Sequence, residues 1–426
     1  MLSKKFLIVF CSVALVGVSV FGQENTLRLS VKDAENYAID HNRTMKNASL
    51  SVKKAEATKW YAISTMLPQV SGSLDYTNYL GYELNMMGMN IPMNPTSNFA
   101  VQASITVSGA QIVSSTLGKL AQEMAQTNYQ KTEQTIKSQV RTIYFSILAM
   151  ESTVGLLNES MENILKLEKF AQQALNVGVS EQTDVDQISV QVSSLSNSIN
   201  ATKRSVEILY NTLRLILGTS VNTEIALTEN IDNLLSLENI DKLLAEQLQL
   251  KNNLDYQLME KNVELSKRQV RINEWSYGPS LTTFYKYQAK IEKAEFDMNP
   301  PQVFGLTLNI PIFSSGNRLA KVNEAKCDYK SAMNNFEMLS DNLEIQDRQL
   351  RYNLRSSYEN YETQRKNIDV SQRVFTSISN KYEHGRASSL DITNSSTNLL
   401  SAQSNYIQSV LSLLNAQIEL ETLLNK

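Results

Sequence analysis

Four thioethers lie close together in this chain, Met86, Met87, Met89 and Met93, within the stretch NMMGMNIPMNPTS. Methionine sulfur is a soft donor, so the cluster has the composition of a copper-carrying loop. An exposed loop that carries apolar residues by chance has the same composition, and that second reading is preferred. Other candidates for chemistry are fewer still. His41 and His384 are too scattered for the usual zinc arrangements. Cys11 lies in an N-terminal apolar stretch and Cys327 on a polar helical run, so the processed chain keeps one cysteine, with no partner for a disulfide or a metal cluster. No nucleophile has a placed base, and no glycine-rich loop could cradle a phosphate. The 40 Lys and Arg are balanced by 43 Asp and Glu, which leaves no electrostatic case for nucleic acid. The expectation is a protein with no catalytic residues, metal or cofactor, and not an enzyme.

What recurs is a pattern of turns and acids. ISTMLPQVSGSLDY around Pro68 returns as INEWSYGPSLTTFYKY around Pro279. NVGVSEQTDV at 176–185 is answered by YEHGRASSLDI at 382–392. The offset is 211 positions at the prolines and 207 at Gly178 and Gly385. In each copy a glycine precedes an acid, Asp184 in one and Asp391 in the other. Glycine is suited to a turn with positive φ between two helices.

The elements that must hold these turns are mostly helical. Residues 1–22 read as a secretory signal: Lys4 and Lys5, an apolar run too short to span a bilayer comfortably, then small residues before Gln23. No cysteine lies near Gln23, so lipidation is not expected. The first copy occupies 23–218. Its spacing predicts a helix from Val31 to Ser64, stopped at Pro68, and a hairpin over about 70–109 with a flexible methionine loop. The period-two alternation of Val70, Gly72, Leu74 and Tyr76 is answered by Phe99, Val101, Ala103, Ile105 and Val107. A helix over about 113–177 follows. Ile136, Val140, Ile143, Ile147, Met150, Val154, Leu157, Met161 and Ile164 repeat every 3.5 residues, the mark of supercoiled packing. At 1.5 Å per residue that helix would reach roughly 100 Å. Gly178 ends it, Thr183 or Asp184 is placed to cap the next, and that one runs over about 183–217. Residues 219–238 read as a linker. The second copy, 239–426, predicts a helix to about 275, a hairpin over about 279–310, and helices over about 316–383 and 388–424. Pro311 and Gly316 mark the passage from strand to helix; at the matching position the first copy has Ser108, where the passage looks less constrained. No processed segment looks apolar enough for a membrane-spanning helix.

Each hairpin has one apolar and one polar face. Unpaired strand edges are costly in water and prohibitive in lipid, and four strands are too few for a single-chain membrane barrel. Closure by several chains answers both objections. On LPQVSGSLDY at 67–76, GLTLNIPIFSSGNRLAKVNEAK at 305–326, and YEHGRASSLDI with the Ala-, Gln- and Tyr-bearing helix behind it, the chain resembles the TolC family of outer-membrane efflux proteins over essentially its whole processed length. The resemblance implies a mixed α/β, mostly α fold: long coiled-coil helices and two hairpins, three chains together forming a 12-stranded barrel and a 12-helix periplasmic tunnel with the linker in an equatorial belt. It implies an exit duct of a tripartite efflux or type I secretion system in the outer membrane. Its partners would be itself as homotrimer, a periplasmic adaptor, a proton-driven or ATP-driven inner-membrane pump, and outer membrane lipid.

The family's aperture pattern of Tyr, Gly, Arg and two Asp falls here on Tyr382, Gly385, Ala387, Asp391 and Asn394, so the arginine and the second aspartate are missing. Its first-copy pattern falls on Gly178, Thr183 and Asp184. A ring built from Asp391 alone would have half the acidic charge, with weaker cation selection and divalent block. Arg386 is a conceivable replacement latch that would point elsewhere on the helix, and Asp186 adds charge nearby. The competing reading of Asp184 and Asp391 is plain capping or solvation. Gly178 and Gly385 are where adaptor hairpins would dock. The competing classes are a non-pore coiled-coil scaffold of the envelope and a barrel-based surface receptor. The first leaves the two hairpins unexplained, and the second predicts larger extracellular loops.

Overall fold

The computed structural model describes residues 26–86, 88–231, 237–292 and 300–426. The expected signal segment 1–22, Met87 and parts of the linker and of the second hairpin loop lie outside them. The helices are α1 (Val31–His41), α2 (Arg43–Ser64), α3 (Gly109–Asn176), α4 (Gln182–Leu217), α5 (Leu237–Ala245), α6 (Leu254–Glu274), α7 (Asn317–Glu383) and α8 (Ser389–Leu423). The strands are β1 (Leu27–Leu29), β2 (Gln69–Thr77), β3 (Glu83–Met86), β4 (Met89–Pro92), β5 (Thr96–Ser108), β6 (Ile225–Leu227), β7 (Ser280–Glu292) and β8 (Gln302–Asn309).

Four strands form one antiparallel sheet in the order β2-β5-β7-β8, so the two hairpins pair with each other through β5 and β7. Register fixes what each face carries. Leu74 lies opposite Phe99, Val101 opposite Tyr287, Tyr285 opposite Phe304, and Leu281 opposite Leu308. Cross-strand partners share a face, so these side chains form a continuous apolar surface, and Phe304, Leu306 and Leu308 are largely exposed on it. Ser71, Gln102, Thr282 and Lys286 line the other face. Strands β2 and β8 have no outer partner among the described residues.

α3, of 68 residues, and α7, of 67, each fold back on the helix that follows. At 1.5 Å per residue both reach about 100 Å. All nine heptad residues from Ile136 to Ile164 are buried or half-buried. The main core sits partway along the helices, where Tyr144, Ile147, Leu213, Leu217, Leu354 and Leu413 are essentially closed to solvent. There Arg141 of α3 pairs with Glu35 of α1 at 2.7 Å and Glu421 of α8 at 2.6 Å. Burial pushes the Glu35 carboxyl up, against the pull of Arg141. Contrary to expectation, α3 includes a stretch that by length and composition alone would cross a membrane; its run from Tyr144 to Ala149 is instead largely packed into this core.

Several boundaries differ from the expected ones, each for a local reason. The single helix expected over Val31–Ser64 breaks at Asn42, which has extended backbone. The buried Asn42 carboxamide accepts from the amides of Thr44 (2.6 Å) and Met45 (3.3 Å) and donates to the carbonyl of Ile216 at 2.6 Å. The helix expected over 239–275 breaks likewise, and Asn253 does the same work 211 positions later. It accepts from the amides of Asp255 and Tyr256 and donates to the carbonyl of Leu423 at 3.1 Å. The methionine loop is not irregular: β3 and β4 pair antiparallel, with Met86 opposite Met89. The linker contributes β6, which pairs in parallel with β1. α3 begins at Gly109 rather than near 113, because Ser108 caps it by accepting from the Gln111 amide at 3.2 Å. The passage at Ser108 is therefore tight, not loose: β5 runs straight into α3, and a Cβ on Gly109 would lie 2.1 Å from the Trp275 ring.

Candidate functional site

The residues singled out in the sequence gather mainly at the far end of the helices from the sheet. Gly178, at φ 76°, turns α3 into α4, and Gly385, at φ 68°, turns α7 into α8. Nothing crowds either position, so backbone conformation is the reason for glycine there. Val177 and Val179 flank the first turn and are 74% and 80% exposed, an apolar tip that none of the described residues covers.

Both following helices open with an acid in the third helical position, where it meets the unpaired amides of the helix start. In α8, Ser388 is the cap: its hydroxyl accepts from the Asp391 amide at 3.1 Å, and Asp391 Oδ2 accepts from the Ser388 amide at 2.9 Å. The Ser388 amide first, and then the Ser388 hydroxyl donating to the same Oδ2 at 2.7 Å, hold the Asp391 carboxyl below its ordinary range. In α4 the cap is Glu181, not Thr183 or Asp184 as expected. Asp184 Oδ2 accepts from the Glu181 amide at 3.2 Å and from Ser180 Oγ at 2.8 Å. Thr183 is exposed and bonds only back to Glu181, at 3.3 Å.

The two acids differ in their second oxygen. Asp184 Oδ1 accepts from the hydroxyl of Ser389, a buried residue at the first position of α8. That bond joins the α3–α4 turn to the α7–α8 turn, and it is the first cause of the lowered Asp184 pKa. Ser389 Oγ also lies 3.5 Å from Gln187 Oε1. Tyr382 is buried with its ring edge against Phe170 at 5.6 Å. Burial, then the charge of Asp184, pushes its phenol up. Its hydroxyl makes no hydrogen bond among the described residues. Tyr382 packs with Ile164, Val185, Ile188, Phe375 and Ile392, and Ala387 sits at the edge of the same cluster.

Asp184, Tyr382 and Ser389 therefore come together, and Asp391 and Asn394 stand apart on the exposed side of α8. Asp186 is tied within its own helix to Gln182 at 2.8 Å, and Arg386 is exposed without an ion-pair partner among the described residues. Ser389 is the functional candidate that sequence reading missed. Its only signal was position, a small hydroxyl beside the Ser388 cap. At the other end of the helices, Gly316 has φ 80° and caps α7, and the Pro311 carbonyl accepts from Arg318 Nη1 at 3.2 Å. Arg318 lies over the Tyr277 ring at 5.8 Å, and Ile312 and Phe313 project beside it, 93% and 84% exposed.

A sheet with an apolar outer surface, carried on helices about 100 Å long that end in capped acidic turns, is the architecture of an envelope conduit component. The sequence pattern of the outer membrane efflux protein family matches residues 36–219 and 246–426. The chain belongs to that family, a family of channels located in the outer membrane. It is similar to the outer membrane protein TolC of Escherichia coli K12, at 23% identity over 94% of this chain and 82% of that one. Its fold matches outer membrane protein VceC from Vibrio cholerae with a TM-score of 0.77 at 14% identity, over 92% of this chain and 95% of that one. It also matches the CmeC outer membrane channel of Campylobacter jejuni with a TM-score of 0.78 at 16% identity, over 92% and 85%.

Proposed function

We propose that three copies of this chain close their sheets edge to edge into a 12-stranded outer-membrane barrel, with the helices continuing below it as a periplasmic tunnel. The chain is an outer-membrane efflux channel, and in this reading it conducts passively what an inner-membrane pump delivers through a periplasmic adaptor. The observation that carries the proposal is the four-stranded sheet itself. Among the described residues its two outer strands lack partners, and one face is largely apolar, so in lipid it needs neighbours on both edges. Residues 1–22 serve as the export signal and are removed, without lipid attachment. The two copies of the helix–hairpin–helix pattern, 23–218 and 239–426, derive from a duplication, which the matched placement of Asn42 and Asn253 supports. The exposed valines around Gly178, and the Gly385 turn, are the adaptor's docking points. Asp391 lines the periplasmic aperture, with Asn394 one turn on and Tyr382 behind it. Asp184 and Thr183 belong to the same mouth, Asp184 turned toward Ser389 instead of the opening.

Single-channel recording of the purified mature protein in a planar bilayer, beside Asp391→Ala, tests this. Discrete cation-preferring openings that lose their preference in the variant are expected. Inserted trimers that never conduct, even with Ser389→Ala loosening the tip, would sink the duct reading. A coiled-coil scaffold without a pore predicts that second result, but it offers no role for the paired hairpins.

A further inference from the structure

The polar face of the sheet carries a charge that nothing among the described residues neutralises. Lys286 is the seventh of the 13 residues of β7, so it lies at mid-strand. Register places it beside Gln102 on β5 and Val303 on β8, with Ser71 beyond Gln102 on β2. All four lie on the face opposite Tyr285 and Tyr287. The Lys286 ammonium has no hydrogen bond or ion pair among the described residues. Among the described side chains, two other charged residues on β2, β5, β7 and β8 share that face. Asp75 sits opposite Asn98 and takes a hydrogen bond from Ser73 at 3.1 Å. Lys290 sits on the other side of Asn98 and is engaged elsewhere. The row next to Lys286 is closed differently: Phe284 lies across Gly305, where a Cβ would come within 2.5 Å of the ring. The aromatic ring is folded down sideways onto β8, and Lys286 is left as the long side chain standing free at that height.

We propose that Lys286 is the charge filter of the barrel, holding a ring of three ammonium groups halfway along the lumen that favours anionic groups on the cargo. The proposal rests on the three-copy duct described above. It gives the conduit opposite signs at its two ends, aspartates at the helical mouth and lysines in the barrel. Rings of one sign set selectivity in narrow aqueous pores because the surrounding low-dielectric wall limits screening.

Reversal potentials in a KCl gradient test the filter on the full mature chain. Lys286→Gln is expected to raise the ratio of potassium to chloride permeability about threefold near 0.1 M salt, with the shift shrinking as the Debye length falls to about 3 Å at 1 M. Lys286→Arg should behave as the parent. An unchanged reversal potential in Lys286→Gln, in channels that still conduct, overturns the proposal. A second measurement needs no current. In a Cys327→Ser background, Lys286→Cys in proteoliposomes should react with membrane-impermeant maleimides. Tyr285→Cys should be shielded by lipid. Labelling at 285 and not at 286 refutes the lumenal placement. Silent wild-type trimers with the expected labelling would count against an open duct and leave the placement of Lys286 upheld.

Discussion

At the scale of single residues, one hydroxyl separates the roles of two aspartates. Asp184 and Asp391 hold the same position in their helices, but only Asp184 spends an oxygen on the other turn, through Ser389. Both carboxyls titrate below their ordinary range. A depressed carboxylate stabilises the fold above its unfolded pKa, and that stability is lost as pH falls through the folded value. Ser389→Ala should therefore destabilise the tip at neutral pH by about 1 kcal/mol, the value of a charge-assisted bond discounted for the partial exposure of Asp184. Thermal melts across pH should show the gap between variant and parent closing once Asp184 is protonated. A gap that persists at acid pH would mean that Ser389 acts by packing alone. If these turns form the mouth of the duct, conductance should move with it, because the bond ties the two helical hairpins together at their tip.

At the scale of elements, two asparagines explain what sequence reading found and what it missed. The long helices and the four strands of the main sheet were legible because each carries a sustained period, 3.5 residues in α3 and two in the hairpins. The break at Asn42 was not, since a one-residue interruption leaves the polar pattern of α1 and α2 looking continuous. The break before Asn253 is longer, from Ala245 to Leu254, but it carries no proline or glycine to mark it. The inter-turn bond was invisible because Asp184 and Ser389 are 205 positions apart, and hydrogen bonding leaves no periodicity. Each asparagine uses its oxygen to cap a helix and its nitrogen to hold the last carbonyls of another. Asn42→Ala should cost about 2 kcal/mol, a lost cap plus a buried carbonyl left unpaired. Asn42→Asp should cost at least as much, because it keeps the cap but sets a carboxylate against the Ile216 carbonyl. Urea midpoints of both variants, with Asn253→Ala beside them, measure this; an Asn42→Asp protein as stable as the parent would show that the donor bond to Ile216 contributes nothing. The contact of Gly109 with Trp275 gives a companion test. Gly109→Ala should destabilise the chain and lose most of that effect in a Trp275→Ala background.

At the scale of the whole molecule, the alternation in the sheet decides which solvent each face meets. Leu306 and Thr307 are adjacent in β8 and point to opposite faces, Leu306 with the apolar set and Thr307 toward Thr282. Thr282 in turn meets Thr106, hydroxyl to hydroxyl at 3.0 Å. If the apolar face lies against hydrocarbon, Leu306→Lys places a charge in lipid at a cost of roughly 2–4 kcal/mol near the bilayer midplane. Closure by three copies repeats that cost in every chain. Thr307→Lys changes the same charge one residue away and puts it in the aqueous lumen, where its cost should be small. The fraction of purified protein that inserts into liposomes as trimer should accordingly collapse for Leu306→Lys and stay near the parent for Thr307→Lys. Equal loss in both variants would mean that the sheet resists charge for reasons of folding, not lipid contact. Equal tolerance would mean that the apolar face is not lipid-facing, and three-copy closure of this sheet in a membrane would lose its physical basis. The comparison separates these cases because backbone, strand and added charge are the same, and only the face differs.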